Sequence, residues 1–239
     1  DKALLSLKDY NLRGRLEDLA AAGICSFKIE GRLKNESYVR NVVRDYSIAL
    51  DELTSRKPYV RGSFGSITGG FTPNTDKTFN RGYTELFLDG RKGKWASMDS
   101  AKSMGEEIGC VTSVSKDKTS VTLKLRDGLT GLNNGDGFSF VAKDGTVCGF
   151  RGDVCSGNTI RCKSTAELFA GARIYRNIDI SFEKEIDRKP CIREIRVNVT
   201  VGFLDGKGWA SAETEDGRKV RIDFDPGDQI ADNQERMKG

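Results

Sequence analysis

Apolar residues along this chain change their spacing twice, and each change marks a different kind of structure. In the first stretch, residues 1–57, Leu12, Leu16 and Leu19 recur at helical spacing. They run into Ala20-Ala-Ala-Gly23, where Gly23 suits the position just past a helix end. Residues 24–29 (Ile-Cys-Ser-Phe-Lys-Ile) follow as a short apolar strand, broken at Gly31. Asn35 is placed to cap a long helix with the apolar stripe Tyr38, Val42, Val43, Tyr46, Ala49, Leu50 and Leu53. Helix, strand and helix with tight joints predict a parallel α/β architecture. One strand and two helices cannot close a parallel sheet, so this stretch is expected to need partners from outside the chain.

Residues 58–104 lose that periodicity. Gly62, Gly65, Gly69, Gly70, Pro73 and Gly82 punctuate them, with Phe64, Phe71, Phe79, Tyr83 and Phe87 interspersed. This predicts an extended linker with a strand or two, ending in the basic run Gly90-Arg-Lys-Gly-Lys94. From residue 105 the period becomes two. Short alternating segments at 108–114, 120–125, 138–141, 146–150, 159–162 and 173–175 are separated by Gly-Asp and Asp-Gly turns, predicting a small antiparallel barrel over 105–180. A further β-rich unit, 190–239, holds strands at 192–201, 209–215 and 219–224, the last two joined by a two-residue turn at Asp216-Gly217. The fold class is thus mixed α/β followed by all-β. The chain opens Asp1-Lys-Ala without Met and ends in a polar, helix-compatible stretch after Pro226-Gly227, so it is expected to be a piece of something longer.

Composition narrows the chemistry more than the fold. Of 239 residues, 39 are Lys or Arg and 35 Asp or Glu, a net charge of +4, which excludes a histone-like polycation. The chain holds no histidine, which excludes a Ser–His–Asp triad, a Cys–His dyad and any His-ligated zinc site within it. Serine–lysine, paired-carboxylate and all-cysteine chemistries survive. The six cysteines (Cys25, Cys110, Cys148, Cys155, Cys162 and Cys191) form no Cys-x-x-Cys pair and are expected to be reduced and structural. No metal or cofactor site is expected among them. No apolar run approaches a membrane span and no signal segment is recognisable, so a cytoplasmic protein without membrane contact is expected.

The densest chemical signal is Lys28-Ile-Glu30-Gly-Arg32-Leu-Lys34. Strand ends face the active site in parallel α/β folds, Gly31 permits a sharp bend, and the helix opened by Asn35 favours anions. Arg32 could clamp a phosphate or carboxylate, and Glu30 could orient Arg32 or act as a base. The competing reading makes Lys28, Glu30 and Arg32 a structural ion-pair network. Lys8 and Asp9, in Ser6-Leu-Lys-Asp9, would share the same mouth if they end a preceding strand, and otherwise form an ordinary turn. Phe79-Asn-Arg81-Gly-Tyr-Thr84 is a third candidate, with a local turn as its alternative.

These segments together resemble a known family. Ser6-Leu-Lys-Asp9, Ser26-Phe-Lys-Ile-Glu-Gly-Arg32-x-Lys34 with Tyr38-Val39, Val43-Arg44-x-Tyr46, and the hexapeptide 79–84 are similar to the end of the core domain of the collagenase-like peptidases, peptidase family U32. Residues 105–239 look like the C-terminal extension of the longer members, some of which are linked to hydroxylation of ribosomal RNA. The resemblance implies that residues 1–57 are the C-terminal remnant of a TIM-like barrel, with Lys28, Glu30 and Arg32 at its catalytic mouth; Lys8, Asp9, Lys34 and Arg81 are the candidate substrate-binding residues. It implies an RNA or polypeptide partner and an N-terminal core upstream, where an iron–sulfur cluster would lie; this chain carries no counterpart of its ligands. The chain would then act as a substrate-recognition module, or alternatively as part of the active site of a peptidase or RNA-hydroxylating enzyme.

Overall fold

The computed structural model describes residues 6–91, 93–97, 102–129, 131–164 and 167–227. The helix expected after Pro226-Gly227 and the basic residue at 92 lie outside them. The chain divides into two units, residues 1–60 with 69–191, and residues 61–68 with 192–239.

The first unit begins with β1 (Asp9–Tyr10), a 3-10 turn at Arg13–Arg15, and helix α1 (Leu16–Ala21). Gly23 takes φ +90° just past the helix end and donates its N–H to the Ala20 carbonyl at 3.0 Å, as its sequence position suggests. Helix α2 (Glu36–Thr54) starts at Asn35, whose side chain accepts the Tyr38 N–H at 3.1 Å. Leu16, Ala49 and Leu53 are buried between the two helices, with Phe27, Tyr46 and Tyr59 packed around them. Val43 leaves the apolar stripe and stays 47% exposed; Asn41 is buried instead. After α2 the chain passes through β2 (Ser66–Gly69), which belongs to the second unit but for its last residue, before β3 (Tyr83–Thr84).

Residues 24–29 do not form the expected strand. They have no ladder partner among the described residues, and Ile24 and Ile29 remain 44% and 37% exposed. A strand exists only through its neighbour's hydrogen bonds. The parallel pairing in this region is instead β1 with β3, Asp9 opposite Tyr83 and Tyr10 opposite Thr84.

The expected antiparallel barrel appears as a curled seven-stranded sheet. Its strands are β4 (Glu106–Val114), β5 (Ser120–Leu125), β6 (Gly137–Val141), β7 (Val147–Arg151), β8 (Val154–Ser156), β9 (Thr159–Arg161) and β10 (Arg173–Ile178), in the spatial order β7-β6-β10-β4-β5-β9-β8. The edge strands β7 and β8 are consecutive in sequence, joined only by Gly152-Asp153, so the sheet must curl to bring its edges together. At that joint a Cβ on Gly152 would sit 2.7 Å from the Cys155 sulfur and 2.8 Å from the Phe138 ring. Inside the curl lie Ile108, Val121, Leu123, Phe138, Ile160 and Ile174, each at most 1% exposed.

Helix α3 (Ile180–Arg188) follows β10 and is capped by Asp179, which accepts the Phe182 N–H at 3.1 Å. Its Phe182 meets Phe71 edge to face, ring centres 5.9 Å apart. Beneath the cap lies a buried charge network. Arg176, fully buried, reaches Glu106 at 2.9 Å, Asp179 at 3.1 Å and Asp136 at 3.5 Å. Lys77 reaches Asp179 at 2.8 Å from the other side.

In the second unit β2 pairs with β11 (Cys191–Glu194), and β12 (Val197–Leu204), β13 (Lys207–Thr214) and β14 (Lys219–Phe224) form a three-stranded sheet in that order. The two-residue hairpin is Asp205-Gly206, both at positive φ (50° and 76°), between β12 and β13. Asp216-Gly217 sits in a longer loop, closed by Thr214 N–H donating to the Arg218 carbonyl, because Gly217 supplies a left-handed residue after a turn. By register, Val197, Val199, Val201 and Phe203 of β12, Ala210 and Ala212 of β13, and Val220, Ile222 and Phe224 of β14 share one face. The seven large ones are all 36% exposed or more. No described helix is long and apolar enough to cross a membrane.

Candidate functional site

A cavity of about 650 Å³ opens in the first unit between β1, the 24–32 segment, α2 and β3. Its floor is apolar, from Leu12, Leu16, Leu19 and Val42. Its rim carries the residues with chemistry: Asp9, Lys28, Glu30, Arg32, Lys34 and Arg81. Six of the seven sequence candidates are therefore neighbours in space. Lys8 is not on this wall; its stem passes over Gly82, 3.5 Å from where a Cβ would stand.

The hexapeptide 79–84 builds one side of the rim, and each residue has a task. Phe79 presents its ring to the Lys34 ammonium, 3.1 Å from the ring centre. Asn80, buried, donates to the carbonyls of Asp76 (3.0 Å) and Thr78 (3.1 Å) and accepts the Gly82 N–H at 3.2 Å. Arg81 donates to Asp9 three times: from its backbone N–H at 2.7 Å, from Nε at 3.2 Å and from Nη2 at 2.6 Å. The Gly82 and Thr84 carbonyls accept the N–H groups of Asp9 and Asn11 at 2.9 and 3.0 Å. Tyr83 donates its hydroxyl to the Thr75 carbonyl at 2.7 Å. Arg81 thus reaches 72 residues back along the chain, not a neighbouring turn.

The 28–32 segment behaves differently. Lys28 and Glu30 are both exposed and pair at 2.9 Å, which raises the Lys28 pKa. Arg32 is exposed and makes no ion pair among the described residues. The network that would tie a strand to a helix through all three is thus reduced to one local pair, and Arg32 stands at the rim with its donors available. Burial lowers the Lys34 pKa; Asp9 opposes that shift and Arg81 reinforces it. Burial raises the Tyr38 and Tyr83 phenols above their ordinary value, and the Asp9 charge adds to both.

Sequence reasoning passed over several members of this site. Tyr46, read as part of an apolar stripe, accepts the Leu12 N–H at 3.0 Å and donates to Asn11 at 2.9 Å. Asn41 donates to the Asn74 carbonyl at 2.7 Å and to Thr78 at 3.0 Å, fixing α2 to the turn that leads into the hexapeptide. A polar residue inside an otherwise apolar helical stripe was the one available signal.

The arrangement suits a planar, anionic ligand. Tyr10, Phe27 and Tyr38 contribute aromatic side chains to the lining, Arg32 and Lys34 contribute cations, and the volume matches a small-molecule or single-nucleotide site. Both rim carboxylates are engaged by cations, Asp9 by Arg81 and Glu30 by Lys28. Among the described residues no three Cys, Asp or Glu side chains converge as metal ligands.

Comparison with known proteins places these features. The model of peptidase family U32 matches residues 1–97. The chain is 31% identical over 246 residues to the 23S rRNA 5-hydroxycytidine C2501 synthase of Escherichia coli (strain K12), covering 99% of this chain and 37% of that protein. It is 31% identical over 84 residues to the tRNA hydroxylation protein P of Haemophilus influenzae, covering 35% of this chain and 16% of that protein. The chain therefore spans about a third of the length of the first relative. No solved structure matches it.

Proposed function

Because the chain belongs, through residues 1–97, to peptidase family U32, we propose that it forms one wall of the substrate site of an RNA-hydroxylating enzyme. The carrying observation is the 650 Å³ cavity, whose lining brings Arg32 and Lys34 together with the aromatic side chains of Tyr10, Phe27 and Tyr38. Both relatives are named for RNA hydroxylation, which agrees with a site shaped for an unstacked nucleotide. In this reading residues 1–57 are the closing strands and helices of a TIM-like barrel, and residues 24–29 gain their strand partners from a longer polypeptide.

Each side chain then has a positioning task. Arg32 takes a backbone phosphate through its planar fork, and Lys34, held over the Phe79 ring, supplies a second charge. The Asp9–Arg81 pair fixes β1 against the hexapeptide and so sets the cavity width. Tyr38 stays protonated and able to donate a hydrogen bond, because burial disfavours its phenolate, while Tyr83 spends its hydroxyl proton on the Thr75 carbonyl and braces the wall. Lys28 and Glu30, at the mouth, guide substrate entry as a pair. A peptidase reading has less behind it, since neither rim carboxylate is free of a cation partner.

The test is expression of the full-length protein in an Escherichia coli strain lacking the related synthase, followed by mass spectrometry of RNA nucleosides. A nucleoside carrying one added oxygen, lost in Arg32→Ala, supports the reading. Absence of any such nucleoside with the wild-type protein expressed and soluble overturns it.

A further inference from the structure

The first unit carries a second concave surface, remote in sequence from the rim just described. An open cleft of about 710 Å³ lies between the loop Leu132-Asn133-Asn134 and the outer face of α3. Lys184, Arg188 and Lys189 line it. Its one carboxylate, Glu185, is engaged by Lys189 at 2.9 Å. Lys184 and Arg188 make no ion pair among the described residues and are exposed. They stand one helical turn apart on the same face of α3. Arg151 adds to the same side, its guanidinium 3.4 Å from where a Gly135 Cβ would be.

The cleft is mounted rigidly. The buried Asp136 carboxylate accepts the Asn133 N–H at one oxygen and the Ile180 N–H at the other, both at 2.9 Å, so one side chain fixes the loop and the helix together. Arg176 holds that carboxylate from below. Asn134 spends its carbonyl oxygen on the Cys155 N–H at 2.8 Å, which leaves its NH2 group as a donor at the cleft.

We propose that this cleft binds the phosphodiester backbone of the RNA substrate, outside the nucleotide cavity. The proposal rests on the RNA reading above and goes beyond it by assigning a second contact surface. Three features favour an RNA strand over a lone anion. The volume exceeds what one phosphate needs. The cations are spread along a turn of helix instead of converging on a point. The Asn133 and Asn134 amides add neutral polar groups suited to ribose and base edges.

The experiment measures binding of a fluorescein-labelled 20-mer oligouridylate, and of a hairpin RNA, to the full-length protein by anisotropy across a salt series. Removing two phosphate contacts in K184A/R188A should lower the slope of log K against log salt by roughly 1.4–1.8. It should weaken binding at least tenfold at low salt, with an unchanged melting temperature because both residues are exposed. The charge-retaining K184R/R188K should bind as the wild type, and K116A/K118A, on the β4–β5 turn of the same sheet, should keep the full slope. An unchanged slope in K184A/R188A, or an equal loss in K116A/K118A, overturns the proposal while leaving the RNA reading intact. Competition by polyglutamate as effective as that of unlabelled RNA also overturns it, because the cleft would then accept any polyanion. No RNA binding by the wild-type protein at low salt defeats the RNA reading itself.

Discussion

Replacing Arg176 by methionine isolates what the buried charge network contributes. The guanidinium is fully buried against Asp136 and Asp179, which are no more than 1% exposed, and Glu106, which is 20% exposed. Methionine fills much of the volume but removes the charge, so two carboxylates lose part of their compensation in a dry environment. Breaking a buried pair by deleting one partner costs about 3–5 kcal/mol. Asp179 keeps Lys77 and the Ser181 hydroxyl, and Asp136 keeps two backbone N–H groups, which argues for the lower half of that range. Glu106 reaches water and adds little. Hydrogen exchange followed by mass spectrometry on peptides covering β6 and β10 reads the opening free energy of this sheet directly. The expected result is a loss of about 3 kcal/mol in R176M. At least half should return in R176M/D136N, where the buried carboxylate left without a cation is gone and Asp179 still has Lys77. A loss below about 1 kcal/mol, the scale of an exposed pair, would refute the argument that these charges depend on one another. So would a double variant with the separate losses simply added.

Four further outcomes follow from the same geometry. Arg81→Lys should keep the charge but lose the paired Nε and Nη2 contacts to Asp9, costing about 1–3 kcal/mol locally and lowering RNA hydroxylation in the assay above; equal activity would show the clamp is dispensable. Gly152→Ala should destabilise the curled sheet by about 1–3 kcal/mol in urea unfolding, because the added methyl meets Cys155 and Phe138 under 3 Å. Cys155, its pKa raised to about 11 by burial and by Asp136 and Asp153, should resist iodoacetamide at pH 8, while exposed Cys25 and Cys191 are alkylated; peptide mapping reads the order. Burial pushes the Asp179 carboxyl up, but Lys77, Ser181 and Arg176 together hold it below its ordinary value. Its contribution is therefore complete above about pH 4 and is lost as the pH falls through the lower folded-state value. Exchange protection of α3 should decline on that acid limb, and D179N should flatten it.

Local rules were legible in the sequence and distant ones were not. The Asn35 cap, the Gly23 helix stop and the period-two strands of the curled sheet follow from spacing over a few residues, where backbone sterics decide. The strand expected at 24–29 failed because apolar alternation says nothing about whether a neighbour is present. The two-residue hairpin fell at Asp205-Gly206 and not at Asp216-Gly217, since both dipeptides satisfy the same turn chemistry and only the strand register separates them. The rim candidates were recognised one by one. A mouth shared by Asp9 and the 28–32 run was conditional on a preceding strand, and the Asp9–Arg81 pairing was not visible at all, because the two meet across 72 positions. The Arg176 network left no trace at all: its members are scattered from Lys77 to Asp179 among a charged third of the chain.

The three-stranded sheet of the second unit has a practical consequence. Its one face presents Val197, Val199, Val201, Phe203, Val220, Ile222 and Phe224 to water, and β12 and β14 each lack an outer strand neighbour among the described residues. Open edges beside a continuous apolar surface are the geometry that recruits further strands. Protein handled at the concentrations of crystallisation or NMR will therefore be governed by this sheet before any other part. A charge placed mid-face, such as Val201→Lys, is the natural first choice for keeping it in solution.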